Sequence, residues 1–292
     1  MRLLTKFSLV FILVFGLGMA AAATLSYRFL QENAREQVVQ DARLMMEMMH
    51  SARDYTTNQI KPLLQAQQEH DNVFLPQTVP AYAATESFNY LRARYPEYEY
   101  KEATLNPTNP RDRAVDWEAD IINVFRRNPN QHELISERDT PTGRSLFLAR
   151  PMAADPPCLS CHDTADRAPA PLVRRYGRDN GFGWQAGDIV SAQIVSVPMS
   201  VPVRMANTAY RGLLVYLGVI FAFSLALLEV MLLFIIVRPV ARLSTAADQI
   251  SMGNFEAPEL PAGGKDEISV LAGSFNRMRR SLEKALKLLE DK

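Results

Sequence analysis

Cysteine is nearly absent from this sequence: there are two in 292 residues, with only four histidines and two tryptophans beside them. Two cysteines cannot staple a disulfide-dense scaffold, and a structural zinc site built on cysteine would need a second pair. Net charge is absent as well. Thirty-two basic residues balance thirty-two acidic ones, which removes the electrostatic case for nucleic acid or a strongly acidic partner. Charge is also missing locally. Phe7 to Ser26 carries none, and Leu213 to Val237 carries only Glu229. Each run reaches the ~20 residues needed to cross a bilayer core.

The first run can be read as a cleaved signal peptide, with Arg2 and Lys6 before it and Ala21-Ala22-Ala23 as a cleavage site. Its length, and a helical pattern that continues beyond it, favour an uncleaved anchor. Arg2 and Lys6 precede the first span, and Arg238 and Arg242 follow the second. Both ends are therefore expected in the cytoplasm and residues 28–211 outside it. Glu229 is costly within a span and is a functional candidate by default; the other reading is a protonated or helix-paired glutamate in a dimer interface.

The two cysteines stand in Cys158-Leu159-Ser160-Cys161-His162. Cys-x-x-Cys alone invites a disulfide or a redox dithiol. The following histidine points instead to covalent haem c: two thioethers to the vinyl groups and an adjacent imidazole for the iron, one haem per chain. A sixth ligand is expected from the cluster Met45-Met46-Glu47-Met48-Met49-His50, Met49 first, with Met46 and His50 as alternatives; an open or water-bound position is the remaining option. Arg174, Arg175 and Arg178 are candidates for the haem propionates, because guanidinium forks match carboxylates; solvated charges are the other reading. The loop Tyr176 to Trp184, with three glycines, either wraps the haem edge or simply turns.

Between the spans, residues 28–70 read as a long helix that Pro62 kinks or ends. Short helices are expected near 84–94 and 114–125, and strands at 145–150 and 189–198, with the Cys-x-x-Cys-His motif in a loop. Antiparallel strands with helices packed on them imply an α+β sensor-type domain. After Arg238-Pro239 comes a helix, then Gly253-Asn254-Phe255 and a connector. Ile268, Leu271, Phe275, Met278, Leu282, Ala285 and Leu289 then step by threes and fours, a heptad seam that needs a partner helix. A homodimer would supply it.

The tail, from Arg238-Pro239 through Gly253-Asn254-Phe255 and Asp266-Glu267-Ile268 to Phe275-Asn276-Met278, resembles a HAMP signalling relay. The external part resembles the c-type haem, PAS-like sensor domains of bacterial membrane receptors and of a soluble cyanobacterial cytochrome. The matching stretches are Arg53-Asp54-Tyr55-Thr56, Tyr100-Lys101-Glu102-Ala103, Asn106-Pro107-Thr108-Asn109-Pro110, Trp117-Glu118 and Cys158 to His162, extended by Tyr176-Gly177, Gly181-Phe182 and Val195 to Pro198. In the soluble relative the sixth ligand is a cysteine; here both cysteines are taken, and the Met/His cluster inherits the question. The resemblance implies a PAS-like haem domain between two transmembrane helices, followed by a HAMP coiled-coil module. Its boundaries are a cytoplasmic N-terminus (1–6), a first span (7–27), a haem domain (28–211), a second span (212–237) and HAMP (238–292). It also implies a bacterial inner membrane with the haem domain in the periplasm. The expected function is a haem-based sensor of redox state or a diatomic gas. With no kinase or cyclase signature before Lys292, output is expected to pass to a separate cytoplasmic protein. A membrane-tethered monohaem cytochrome serving a redox partner is the alternative. No acid–base constellation accompanies the motif, so catalysis is not expected.

Overall fold

The computed structural model describes residues 3–141, 143–256 and 258–290; Arg2, Lys292 and the side chain of Leu289 lie outside the described residues. The chain divides into two units, one of residues 28–209 and one of the segments up to Tyr27 and from Tyr210 onward.

The 28–209 unit is organised by a four-stranded sheet: β1 Glu99–Thr104, β2 Leu134–Thr140, β3 Gly143–Ala153 and β4 Ile189–Pro198. The strand order is β1-β4-β3-β2 and every neighbouring pair is antiparallel. Central β4 is buried along nearly its whole length. Its run of apolar and small residues therefore lacks the alternation of a one-faced strand.

Helices cover both faces. On one face, α1 (Leu3–Tyr55) and α3 (Pro80–Arg92) pack Val38, Ala42, Met46, Met49, Ala84 and Phe88 against Leu146, Leu148, Val195 and Val197. The inward α1 positions recur at helical spacing, so one stripe of the helix faces the sheet. On the other face, α4 (Asp116–Arg127) packs Ile121, Ile122 and Phe125 against Phe147, Ala149, Ala192 and Ile194. Along β1 the same alternation sends Tyr100 toward the first core and Ala103 toward the second. Ion pairs fasten α1 to the β2–β3 hairpin: Arg35–Glu137 at 3.1 Å, Arg43–Glu133 at 2.8 Å and Arg150–Glu47 at 2.6 Å.

Residues 28–70 are helical throughout, as expected, within a helix that runs from Leu4 to His70, and Pro62 does not end it. A π turn, Thr56–Ile60, separates α1 from α2 (Lys61–His70), with the Lys61 N–H bonded to the Thr56 carbonyl five residues back. Pro62 has no N–H and its ring crowds the carbonyl four residues before it; the wider turn accommodates both. The same solution recurs before Pro239. A π turn, Leu233–Val237, joins α7 (Ser200–Leu232) to α8 (Arg238–Ser251), with the Arg238 N–H on the Leu233 carbonyl. Strands β1 and β2 were not expected from the sequence.

In the second unit, the α1 and α7 segments belong to two helices long and apolar enough to cross a membrane. Ser8 donates a hydrogen bond to Glu229, so the carboxyl within the apolar run has a partner. Phe15 and Phe221 meet with ring centroids 5.9 Å apart. Beyond α8, helix α9 (Glu267–Glu290) holds the connector through Asn276, whose side chain accepts from the Leu260 N–H and donates to its carbonyl. Leu271, Met278 and Leu282 of the expected seam are exposed.

Candidate functional site

At the end of β3 the chain leaves the sheet and returns at β4, closed at its neck by Ala154 N–H to Asp188 O and Gly187 N–H to Ala154 O. Within this excursion Pro156 and Pro157 pre-set a tight turn that ends at Cys158 and leads into one helical turn, α5 (Leu159–His162). The motif is thus helical, where a loop was expected. Helical geometry has a consequence for Cys158, Cys161 and His162. At spacings of three and four, all three share one face. Both thiols are free and partly buried.

His162 is held from three sides. Its Nδ1 lies 2.7 Å from the Gly181 carbonyl and 3.4 Å from Thr108 Oγ1. Trp184 stacks on the imidazole, with centroids 4.0 Å apart and planes 11° from parallel. The segment carrying these groups is bound to the motif by its own backbone: Gly183 N–H donates to Asp163 O at 2.7 Å and Trp184 N–H to His162 O at 3.2 Å. Asn106 holds it from the other side, accepting from Gly181 N–H and donating to Phe182 O. Gly181 sits at φ +83°, and a Cβ there would fall 2.0 Å from Thr108 Oγ1 and 2.8 Å from Thr108 Cα. The loops meet so closely that only glycine fits.

The carbonyl beside Nδ1 can only accept, so Nδ1 carries the proton and Nε2 keeps its lone pair. This is the arrangement by which proteins orient a metal-binding histidine. Burial pushes the imidazole pKa below its ordinary 6.5, against the opposing effect of the Gly181 carbonyl. Two free thiols and an oriented neutral imidazole on one helical face are a donor set that fits haem c. Among the described residues, no cluster of three or more His, Cys, Asp or Glu side chains could hold a metal ion by itself.

Residues 31–198, more than half of the chain, match the Tll0287-like family. The chain belongs to the Tll0287-like family. Residues 232–284 match the HAMP domain. Among solved structures, the chain is similar to the cyanobacterial heme-protein Tll0287, at 15% identity and a TM-score of 0.43, over 55% of this chain and 94% of that one. No curated protein matches.

Within the Tll0287-like domain the other expected site residues lie as follows. Met46 and Met49 are packed in the first core. His50 is exposed, with Nε2 3.9 Å from Asp54 Oδ2. The three arginines proposed for propionates have protein partners: Arg174 donates to Asn72 O at 2.8 Å, Arg178 pairs with Asp166, and Arg175 lies over the Tyr176 ring. Sequence reasoning did not single out Arg53, which pairs with Glu102. Its Nη1 bonds both Glu102 oxygens, at 2.6 and 2.5 Å, and its Nη2 approaches Met152 Sδ at 3.7 Å. Tyr100 donates to Glu102 at 2.7 Å, and Gln193 donates to the Tyr100 hydroxyl at 3.3 Å. Burial opposes the Arg53 charge, but Glu102 prevails and raises its pKa; burial and then Glu102 raise that of Tyr100. A signal was present: Arg53 falls four residues after Met49, on the stripe that α1 turns inward.

Proposed function

We propose that this Tll0287-like and HAMP chain is a haem-based transmembrane sensor. One haem c would be bound through Cys158 and Cys161, with His162 as an axial ligand. The observation that carries this reading is the imidazole itself, tied at Nδ1 by Gly181 and sharing a helical face with two unbridged thiols. When bound, the haem supplies an iron that changes charge or takes up a small ligand. The protein's part is to hold and orient. Asn106 and Thr108 fix the Gly181 segment, Gly181 fixes the tautomer, and Trp184 covers one imidazole face. Redox poise or a diatomic gas is the stimulus.

For the sixth position Met49 comes first, then Met46 or His50. Met49 is packed in the first core, so its ligation and the packing of α1 on the sheet would be alternatives. We place the chain in a bacterial inner membrane, with spans at 7–27 and 212–237, residues 28–211 in the periplasm and both termini in the cytoplasm. Lys6 before the first span, with Arg238 and Arg242 after the second, supports this orientation. A parallel homodimer would cover Leu271, Met278 and Leu282, whose exposure on an apolar seam supports it. Signalling passes to a separate cytoplasmic protein, without catalysis by this chain.

The experiment is a pyridine haemochrome spectrum of the full chain produced in cells that attach haem c. A c-type spectrum that resists acid–acetone extraction is expected; no haem, or extractable haem, overturns the reading. Cysteines placed at Leu271 or Phe275 should then crosslink with a yield that follows the haem's oxidation or ligand state. A yield indifferent to both would favour a tethered electron carrier.

A further inference from the structure

Helix α8 begins directly after the apolar run that ends at Val237, and one of its faces is open. Arg238, Arg242, Thr245 and Gln249 recur there at spacings of three and four, so they form one stripe. The connector from Pro258 to Pro261 stands opposite, and a cleft of about 640 Å³ lies between the two walls. Ala241 and Ala246, with a single methyl group each, leave it unfilled. The apolar positions Val240, Leu243, Ala247 and Ile250 fall on another side of the helix by the same spacing, and Ile250 there is buried. The cleft is therefore separate from the apolar stripe.

Its charge is one-sided. Among the described residues, neither Arg238 nor Arg242 has a carboxylate partner; Arg238 is steadied over the Phe234 ring, 4.2 Å from its centroid. Glu259, the one carboxylate among the described lining residues, is engaged by Arg279 at 3.5 Å and Arg280 at 3.7 Å. It leaves the two arginines of α8 uncompensated. Two guanidinium groups four residues apart on one face attract an anion, and their forks match phosphate oxygens. Depth decides which anion. Arg238 is the first residue after the apolar run, and Arg242 lies ~6 Å further along the axis. The headgroup layer beside a ~30 Å hydrocarbon core is roughly 5–8 Å thick, so both arginines fall within it.

We propose that the cleft between α8 and the connector binds the phosphate headgroup of an anionic phospholipid of the cytoplasmic leaflet through Arg238 and Arg242. The inference rests on the membrane orientation proposed above. A headgroup seated there touches both walls, so it fastens the connector to α8 and makes the packing of the tail depend on lipid composition.

The test titrates full-length protein in detergent with phosphatidylglycerol and with phosphatidylcholine, reading bound lipid by native mass spectrometry. Phosphatidylglycerol should bind the more tightly. Arg238→Gln and Arg242→Gln should each weaken it about fivefold, the effect of one basic side chain near an anionic surface. Arg211→Gln removes the same charge at the other end of the second span and should leave this binding unchanged; an equal loss there would mean unspecific attraction and overturn the proposal. Glu259→Gln removes the negative charge of the cleft and should tighten binding, an outcome that misfolding does not imitate. If the arginine variants do not fold, Glu259→Gln decides alone, and binding left unmoved or weakened overturns the cleft. Inorganic phosphate at the lipid's concentration should not displace it; displacement would make a free anion the ligand and overturn the assignment to lipid. The titration does not depend on which side of the membrane the tail lies. A reporter fused at the C-terminus reads that separately: a tail outside the cytoplasm overturns the orientation and the leaflet, whereas absence of a phosphatidylglycerol preference overturns the cleft itself.

Discussion

Replacing Gly181 by alanine tests the loop contact that holds His162. Two penalties combine. The backbone at φ +83° costs an L-residue roughly 1–2 kcal/mol. The added Cβ would also stand 2.8 Å from Thr108 Cα. The Thr108 hydroxyl can rotate away, but Thr108 Cα can yield only if the backbone moves. Moving it displaces the Gly181 carbonyl and forfeits the His162 Nδ1 bond, a further ~0.5–1.5 kcal/mol. Gly183 is a matched control: φ is +84° and nothing lies within 4 Å of its hypothetical Cβ. Gly183→Ala should therefore pay only the conformational cost. An excess of about 1–2 kcal/mol for Gly181→Ala corresponds to a Tm roughly 2–8 °C lower than that of Gly183→Ala for a domain of this size. Circular dichroism melting of both full-length variants in detergent measures the difference. Equal melting temperatures would refute the close-approach argument, and with it the role given to Gly181.

Two further predictions concern pH. Burial raises the Asp112 carboxyl from 3.8 to about 6, with Arg111 opposing. A raised acid pKa means the fold holds the proton more readily than the unfolded chain, so stability falls as pH rises from about 4 to 6. Asp112→Asn should gain on the order of 1–2 kcal/mol at pH 7.5, after discounting for partial exposure. Urea titrations across pH should show that gain vanishing below about pH 4; a loss at pH 7.5 would contradict the argument. Glu133 has the opposite sign. Burial acts to raise its pKa, but hydrogen bonds from Arg43 and Arg150 outweigh it and hold the carboxyl below its ordinary 4.5. Its contribution is present above pH 4.5 and is lost as the pH falls through the lowered value. Glu133→Gln should cost at most ~1 kcal/mol at neutral pH, because Arg43 and Arg150 are partly exposed. Acid titration followed by circular dichroism should show a smaller stability loss in this variant than in the parent.

What was legible in the sequence was local. Cys158 to His162, the two uncharged runs and the α9 seam each declare themselves within a few residues, and the helical period of Val38 to Met49 marks the inward stripe of α1. The rest depended on contacts across the chain. Strand β1 carries Glu99, Lys101 and Glu102, too much charge to read as a buried strand. Glu102 is neutralised by Arg53, and Lys101 by Glu118 at 2.6 Å. Edge strand β2 has Glu137, Arg138 and Asp139, of which Glu137 meets Arg35 of α1. The groups that orient His162 come from Thr108 and Gly181, 54 and 19 residues away. No periodicity reports a meeting between two loops. Arg174, Arg175 and Arg178 likewise meet residues that no local pattern names: Asn72, Tyr176 and Asp166.

The π turns before Pro62 and Pro239 bear on how residues are counted along these helices. Each makes its bond to the fifth residue back instead of the fourth, so the backbone absorbs one residue beyond the ordinary α repeat. With 3.6 residues per turn, one residue is about 100° of azimuth. A heptad phase carried from α7 into α8 by simple counting is therefore wrong by that angle. In a chimera that joins these spans to another tail, the rotational setting of α8 depends on whether the junction preserves Leu233–Val237 together with Pro239. Deleting a single residue from that stretch is a turn of the helix rather than a shortening of it.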